Sequence, residues 1–201
     1  MAKLITSAEP LHSSTERSPM TAGNAGSPSL DDFQAIYRQH YAAIWRFLVH
    51  LGVRKSDVPD VTHNVFMIAH RKLSEFEHRS TVRTWLCGIA LRVGRDFLRS
   101  AAVRLEVSDS DVTLPEASSG DDSAESLRQK RQLALAVRLL DTLPVEQREV
   151  FVLHELEQMT GSEIAKLMGT PVNTVRSRLK RARDAFRKQL AELRQEGALD
   201  V

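Results

Sequence analysis

Residues 161–188, GSEIAKLMGTPVNTVRSRLKRARDAFRK, leave little freedom in what this chain can fold into. A short run with helical apolar spacing, Ser162 to Met168, meets a Gly169-Thr170-Pro171 corner, and a longer arginine-rich run follows. Thr170 can cap the second helix, and Pro171 suits its first position, where a missing N–H costs nothing. Val172, Val175, Leu179, Ala182, Phe186 and Leu190 then recur at spacings of three and four and form one apolar stripe. At 100° per residue Asn173, Thr174, Ser177, Arg181 and Lys188 fall opposite that stripe, with Arg176, Lys180, Arg183 and Arg187 along one flank. A helix seated through one face, cationic on the others and preceded by a short scaffold helix, has the pattern of a helix-turn-helix reader of the major groove.

A solvated helix face is the plainer explanation of an arginine run. Such a face usually mixes signs and gains i,i+4 pairs. Between Arg176 and Lys188 there are seven basic residues and one acid, Asp184, which favours a polyanion as the partner. Charge is uneven along the rest of the chain too. Residues 30–99 carry 11 Lys/Arg against 7 Asp/Glu, and residues 127–201 carry 14 against 10, so each block is +4. Residues 100–126 carry 1 against 7, a −6 strip between two basic blocks. That distribution suggests two nucleic-acid-facing modules joined by a connection of opposite sign.

Helix formers dominate the 201 residues and β-branched alternation is nearly absent, so an all-α fold of two small helical domains is expected. The expected divisions are a disordered, Ser/Gly/Pro-rich tail at 1–29, a three-helix domain at 30–100, a flexible acidic linker at 101–126, and the helix-turn-helix domain at 127–195. In the first domain one helix runs from a cap at Asp31 or Asp32 to Gly52, and a second carries Val58, Val61, Val65, Phe66, Ala69 and Leu73. A polar connection, Ser74 to Ser80, precedes a third helix from Thr81 to Ser100 that buries Trp85, Leu86, Ile89, Val93 and Phe97. The second domain opens on a helix from about Ser126 to Leu143-Pro144, and a helix over Glu146 to Glu157 follows. No run approaches the ~20 apolar residues of a membrane span, so no membrane insertion is expected. The one cysteine, Cys87, excludes an internal disulfide and fits a cytoplasmic location.

Two separate strings resemble one family. Leu143-Pro-Val-Glu-Gln-Arg-Glu-Val-Phe-Val-Leu-His-Glu-Leu-Glu, then Glu163-Ile-Ala and Thr174-Val-Arg-Ser-Arg-Leu-Lys-Arg-Ala-Arg, resemble the sigma-four domain of extracytoplasmic-function sigma factors. Asp60-Val-Thr-His-Asn-Val-Phe-Met-Ile-Ala-His-Arg-Lys-Leu and Thr84-Trp-Leu-Cys-Gly-Ile-Ala resemble the sigma-two domain of the same family. The resemblance covers roughly 170 residues and implies a dissociable specificity subunit of bacterial RNA polymerase, with core polymerase and promoter DNA as partners and no cofactor. It implies further that Asp60, His63, Asn64 and Phe66 dock on core polymerase, although Phe66 reads equally well as core. Phe76, His78, Arg79, Ser80, Arg83 and Arg92 would hold the melted −10 strand, where an unpaired base needs stacking and polar edge contacts. Trp85 could serve there as a stacking wedge, but its spacing with Ile89 and Phe97 favours the core. Asn173, Thr174, Arg176, Ser177, Lys180 and Arg181 would read the −35 duplex, with His154 on its backbone. The chain departs from the family twice. His63-Asn64 replaces the usual Gln-Glu pair and removes a charged contact, and Arg92 stands where the family usually has Asn. An anti-sigma partner is compatible with the resemblance, and the acidic linker could mimic RNA in the polymerase channel.

No Cys/His cluster, glycine-rich phosphate loop, Gly-x-Ser-x-Gly turn or paired-carboxylate set is present, so neither a metal site nor an enzyme activity is expected. The competing reading is a stand-alone helix-turn-helix transcriptional regulator with a sensing N-terminal block. The sequence has no visible dimerisation helix for it, and its N-terminal block resembles a promoter-melting domain.

Overall fold

The computed structural model describes residues 30–107 and 134–195. Within them every regular element is helical. They are α1 (Leu30–Leu51), α2 (Val58–Lys72) with a 3-10 turn at Leu73–Glu75, and α3 (Val82–Val107). After these come α4, described from 134 to 141, α5 (Val145–Phe151) with a π turn at Val152–Leu156, α6 (Gly161–Met168) and α7 (Val172–Gln195). The expected tail at 1–29 and the linker from 108 onward lie outside the described residues, as do Leu127 and Leu133 of the helix expected from Ser126.

The first bundle forms because three apolar stripes share one interior. Ile44, Phe47, Leu48 and Leu51 on α1 meet Val58, Val61, Val65, Phe66 and Ala69 on α2, and Leu86, Cys87, Ala90 and Leu91 on α3 close the interior. Each fully buried Leu or Phe contributes roughly 1.5–3 kcal/mol relative to exposure. α3 runs on through Val107, past the expected stop at Ser100; Ala101-Ala-Val-Arg-Leu-Glu contains no helix breaker that would have ended it.

The expected glycine stops hold. Gly52 takes φ +101°, its N–H donates to the Val49 carbonyl, and the Val53 N–H donates to Leu48. Those two bonds satisfy carbonyls that the helix end leaves open, and buried Val53 covers buried Leu48. Gly169 (φ +62°) repeats the arrangement, its N–H donating to Lys166 and that of Thr170 to Ala165, and so turns the chain from α6 into α7. Two cap expectations differ from the structure. Asp31 and Asp32 lie inside α1 as described from Leu30. The Thr170 hydroxyl donates back to the Met168 carbonyl at 3.3 Å, and the Pro171 carbonyl opens the α7 ladder by accepting from Thr174 and Val175.

α5 and α7 form the body of the second bundle. The rings of Phe151 and Phe186 stack at 5.0 Å, and Val150, Leu153, Ile164, Val175, Leu179, Ala182 and Leu190 are buried around them. This core is continuous with that of the first bundle.

Candidate nucleic-acid interface

α7 is long enough, at 24 residues or about 36 Å, to pack with its second half and present its first. Val175, Leu179, Ala182, Phe186 and Leu190 face inward as the spacing requires. Asn173, Arg176, Ser177, Lys180 and Arg181 are exposed and Thr174 is half-buried, its carbonyl taking the Ser177 hydroxyl at 2.9 Å. At 100° per residue the five exposed side chains span about 140° of arc, the width of one groove-facing side.

The ion pairs divide this helix in two. Arg183 pairs with Glu155 at 2.5 Å, Arg187 with Asp184 at 3.3 Å and Lys188 with Glu192 at 3.9 Å. Arg176, Arg178, Lys180 and Arg181, all in the N-terminal half, have no acidic partner among the described residues. Their charge is thus available to an external polyanion. His154 is half-buried beside this network, 3.2 Å from Glu155 and 3.4 Å from Arg183. The π turn that carries it shifts the register by one residue, which aims Glu155 at α7 and leaves Glu157 on the side of the first bundle.

The connection between α2 and α3 is built around aromatic rings. Phe76 is half-buried, its ring 4.6 Å from His78 and 4.9 Å from Trp85. Trp85 is half-buried as well: it packs on the core, as its spacing with Ile89 and Phe97 favours, and its ring also backs Phe76. His78 holds φ +53°, an uncommon conformation that His tolerates better than most residues, and is exposed with Arg79 and Ser80. Arg79 pairs locally with Glu77. Arg92 is exposed without an ion-pair partner among the described residues. Arg83 instead reaches Glu157 of the second bundle at 2.8 Å. Burial works against its charge, but the Glu157 carboxylate outweighs that and the pKa is raised.

On α2, Asp60, His63 and Asn64 are exposed along one stripe together with Met67 and His70. Phe66 must be corrected: it is 2% exposed, boxed in by Phe33, Tyr37 and Tyr41, and has no surface to offer a partner. The apolar groups open on this face are Met67 at 45% and Tyr37 at 36%. The i+3 and i+4 spacing from Asp60 could have singled out Met67; nothing local marked Tyr37.

Known proteins match this arrangement in order and extent. The family described as Sigma-70 region 2 matches residues 36–104, and the one described as Sigma-70, region 4 matches residues 133–186. The ECF RNA polymerase sigma-E factor of Escherichia coli (strain K12) is 33% identical over 153 residues, covering 73% of this chain and 80% of that protein. The RNA polymerase sigma factor HrpL of Pseudomonas syringae pv. syringae is 35% identical over 137 residues, covering 67% of this chain and 73% of that one. Among solved structures, CnrH in complex with the cytosolic domain of CnrY aligns with a TM-score of 0.61 at 27% identity, over 83% of this chain and 92% of that one. The sigma factor RpoE of Bartonella quintana, in complex with the anti-sigma factor NepR, shares the fold with a TM-score of 0.63 at 22% identity, over 81% and 98%. Two regions in the order of one family, each with its own solvent-facing polar surface, lead to one assignment: the chain belongs to the extracytoplasmic-function sigma factors, which direct bacterial RNA polymerase to promoters and begin transcription there.

Proposed function

We propose the following division of labour within this initiation factor. Asn173, Thr174, Arg176, Ser177, Lys180 and Arg181 read the −35 duplex from the major groove. The observation that carries this is the cluster of cations on the first half of α7 that no acid among the described residues neutralises. Arg176 and Arg181 can each pair bidentately with guanine O6 and N7, worth about 1–3 kcal/mol of discrimination. Arg178 and Lys180 hold phosphates, which positions the helix without specifying sequence. His154 steadies Arg183 and Glu155 behind the reading helix.

Phe76, His78 and Trp85 form a stacking ledge for an unpaired base of the −10 strand, and Arg79, Ser80, Arg83 and Arg92 supply polar edges and phosphate contacts. Base–aromatic stacking of this kind contributes about 1–3 kcal/mol per base. Asp60, His63, Asn64 and Met67 dock on core polymerase, with Phe66 supporting the stripe from behind. The factor acts in the cytoplasm on a stress- or signal-response regulon, has no catalytic step of its own, and is held in reserve by an anti-sigma protein. The last point is supported by the neighbours solved with CnrY and NepR. Among the described residues no helix is long and apolar enough to cross a membrane.

Run-off transcription with reconstituted holoenzyme tests the assignment. Arg176→Ala or Arg181→Ala should lower output from a cognate promoter by about tenfold or more, the equivalent of one lost guanine contact, with core binding unchanged. Loss of core binding in either variant would refute the division.

A further inference from the structure

Met67 is the one apolar side chain on the polar stripe of α2. His63 and Asn64 lie one turn before it and His70 and Arg71 one turn after, all exposed, while Val61, Val65, Phe66 and Ala69 hold the opposite face in the core. Met67 itself is 45% exposed. A face that docks through charge and hydrogen bonds gains most from the apolar group at its centre, whose removal from water is favourable without a matched partner. Any aliphatic residue would supply that area. Methionine supplies it through a thioether, whose sulfur is open to two-electron oxidants, and oxidation turns the group into a polar sulfoxide.

The other sulfur atoms of the described residues are withheld from solvent. Cys87, the only cysteine of the chain, is 1% exposed. Burial first, and Glu157 second, push its thiol well above the ordinary value, so little of the reactive thiolate forms. Met159 is 4% exposed and Met168 is half-buried. Met1 and Met20 lie outside the described residues. Among the described residues Met67 is thus the sulfur most open to an oxidant, and it stands on the face assigned to core polymerase.

We propose that Met67 is an oxidation site that sets affinity for core polymerase: hypochlorous acid converts its thioether to the sulfoxide and uncouples the free factor from the enzyme, and reduction of the sulfoxide restores it. This rests on the docking stripe proposed above. In the oxidation the sulfur lone pair attacks chlorine, an S–Cl bond forms, and the Cl–O bond breaks with loss of hydroxide. Water then attacks sulfur and displaces chloride. Thioether and hypochlorous acid have become sulfoxide, a proton and chloride, with sulfur oxidised and chlorine reduced by two electrons each. The new oxygen is a strong acceptor, and burying it in the docked face strips its water without supplying a donor. Methionine sulfoxide reductases with a thiol reductant return the thioether.

The test treats the full chain with limiting hypochlorous acid, quenches with free methionine, maps the sulfoxides by mass spectrometry of peptides, and titrates core polymerase before and after. Met67 should carry the sulfoxide well ahead of Met159 and Met168. Apparent core affinity should fall about tenfold or more, the scale of one buried acceptor left unpaired, and reductase treatment should restore it. Each variant serves as its own reference. In Met67→Leu the affinities before and after oxidant should match. Met67→Gln, which mimics the polar sulfoxide, should bind about tenfold more weakly than Met67→Leu with no oxidant present. Leu, Met and Gln have similar helix propensities, so helical circular dichroism should be unchanged. Preformed holoenzyme, oxidised in parallel, should shield Met67. If Met67 oxidises as fast in holoenzyme as in the free factor, the docking stripe itself is refuted. If holoenzyme shields Met67 but its sulfoxide leaves core affinity unchanged, the stripe stands and the oxidation site is overturned. The site is overturned equally if Met67→Leu loses affinity on oxidation as the unaltered chain does, or if Met159 or Met168 oxidises first.

Discussion

Phe66 and His50 show how burial decides what a side chain is for. Phe66 carries its ring to three aromatic neighbours and almost none of it to solvent. Phe66→Ala should therefore cost about 3–5 kcal/mol of stability through a cavity. Urea denaturation would show this, and a stable variant defective only in polymerase binding would contradict it. His50, in the last turn of α1, has a buried Nε2 with no partner among the described residues. Burial, with a smaller contribution from Arg46, lowers its pKa to about 4. The unfolded chain takes up that proton near pH 6.5, so stability is intact above about 6.5 and declines as pH falls toward 4, by about 3 kcal/mol in all. His50→Leu should flatten this part of the pH–stability curve. An unchanged slope between pH 6.5 and 4 would assign it to other groups.

At the scale of elements, α6 is eight residues long and depends on its start. The Thr160 hydroxyl accepts from the Glu163 N–H at 3.3 Å, and the Glu163 carboxylate accepts from the Thr160 N–H at 2.8 Å. Thr-x-x-Glu before Ile164 is a sequence signal for this reciprocal cap. The Thr160 N–H first, and the Thr160 hydroxyl donating to the same carboxylate at 2.8 Å second, hold the Glu163 carboxyl below the usual carboxylate range. Its contribution is complete above the unfolded carboxylate pKa and is lost as pH falls through the lower folded value. Thr160→Ala should cost about 1 kcal/mol, read as a lower urea midpoint at unchanged slope. Because α6 is the scaffold on which α7 turns, the same change should also weaken −35 binding. Normal DNA affinity in a measurably destabilised Thr160→Ala protein would uncouple cap from reader.

For the whole molecule, charge arrangement matters more than total charge. The net value is only +2, but Arg176, Arg178, Lys180 and Arg181 on α7 have no acidic partner among the described residues. Binding of the −35 duplex should therefore weaken with salt along a log–log slope of about −2, near −0.9 for each of the phosphates held by Arg178 and Lys180. Fluorescence titrations at several salt concentrations measure that slope. Arg183→Ala should leave it unchanged, since Glu155 already neutralises Arg183, whereas Lys180→Ala should reduce it by about one. A slope near zero would remove the polyanion from the reading of α7.

Periodicity, glycine stops and charge bias are local properties, and they determined the helix order, the inward face of α7, the turn at Gly169 and the exposed polar stripe of α2. Each depends on residues within one or two turns of one another, where side-chain spacing alone selects the face. The helix extension to Val107 was also written locally, in six residues without a breaker. The pairing of Arg83 with Glu157 and of Arg95 with Glu149 joins positions 74 and 54 apart, and no spacing rule links them. Only the packed molecule decided which arginines stay free for nucleic acid, because a cation's availability depends on whether the fold brings a carboxylate within reach of it.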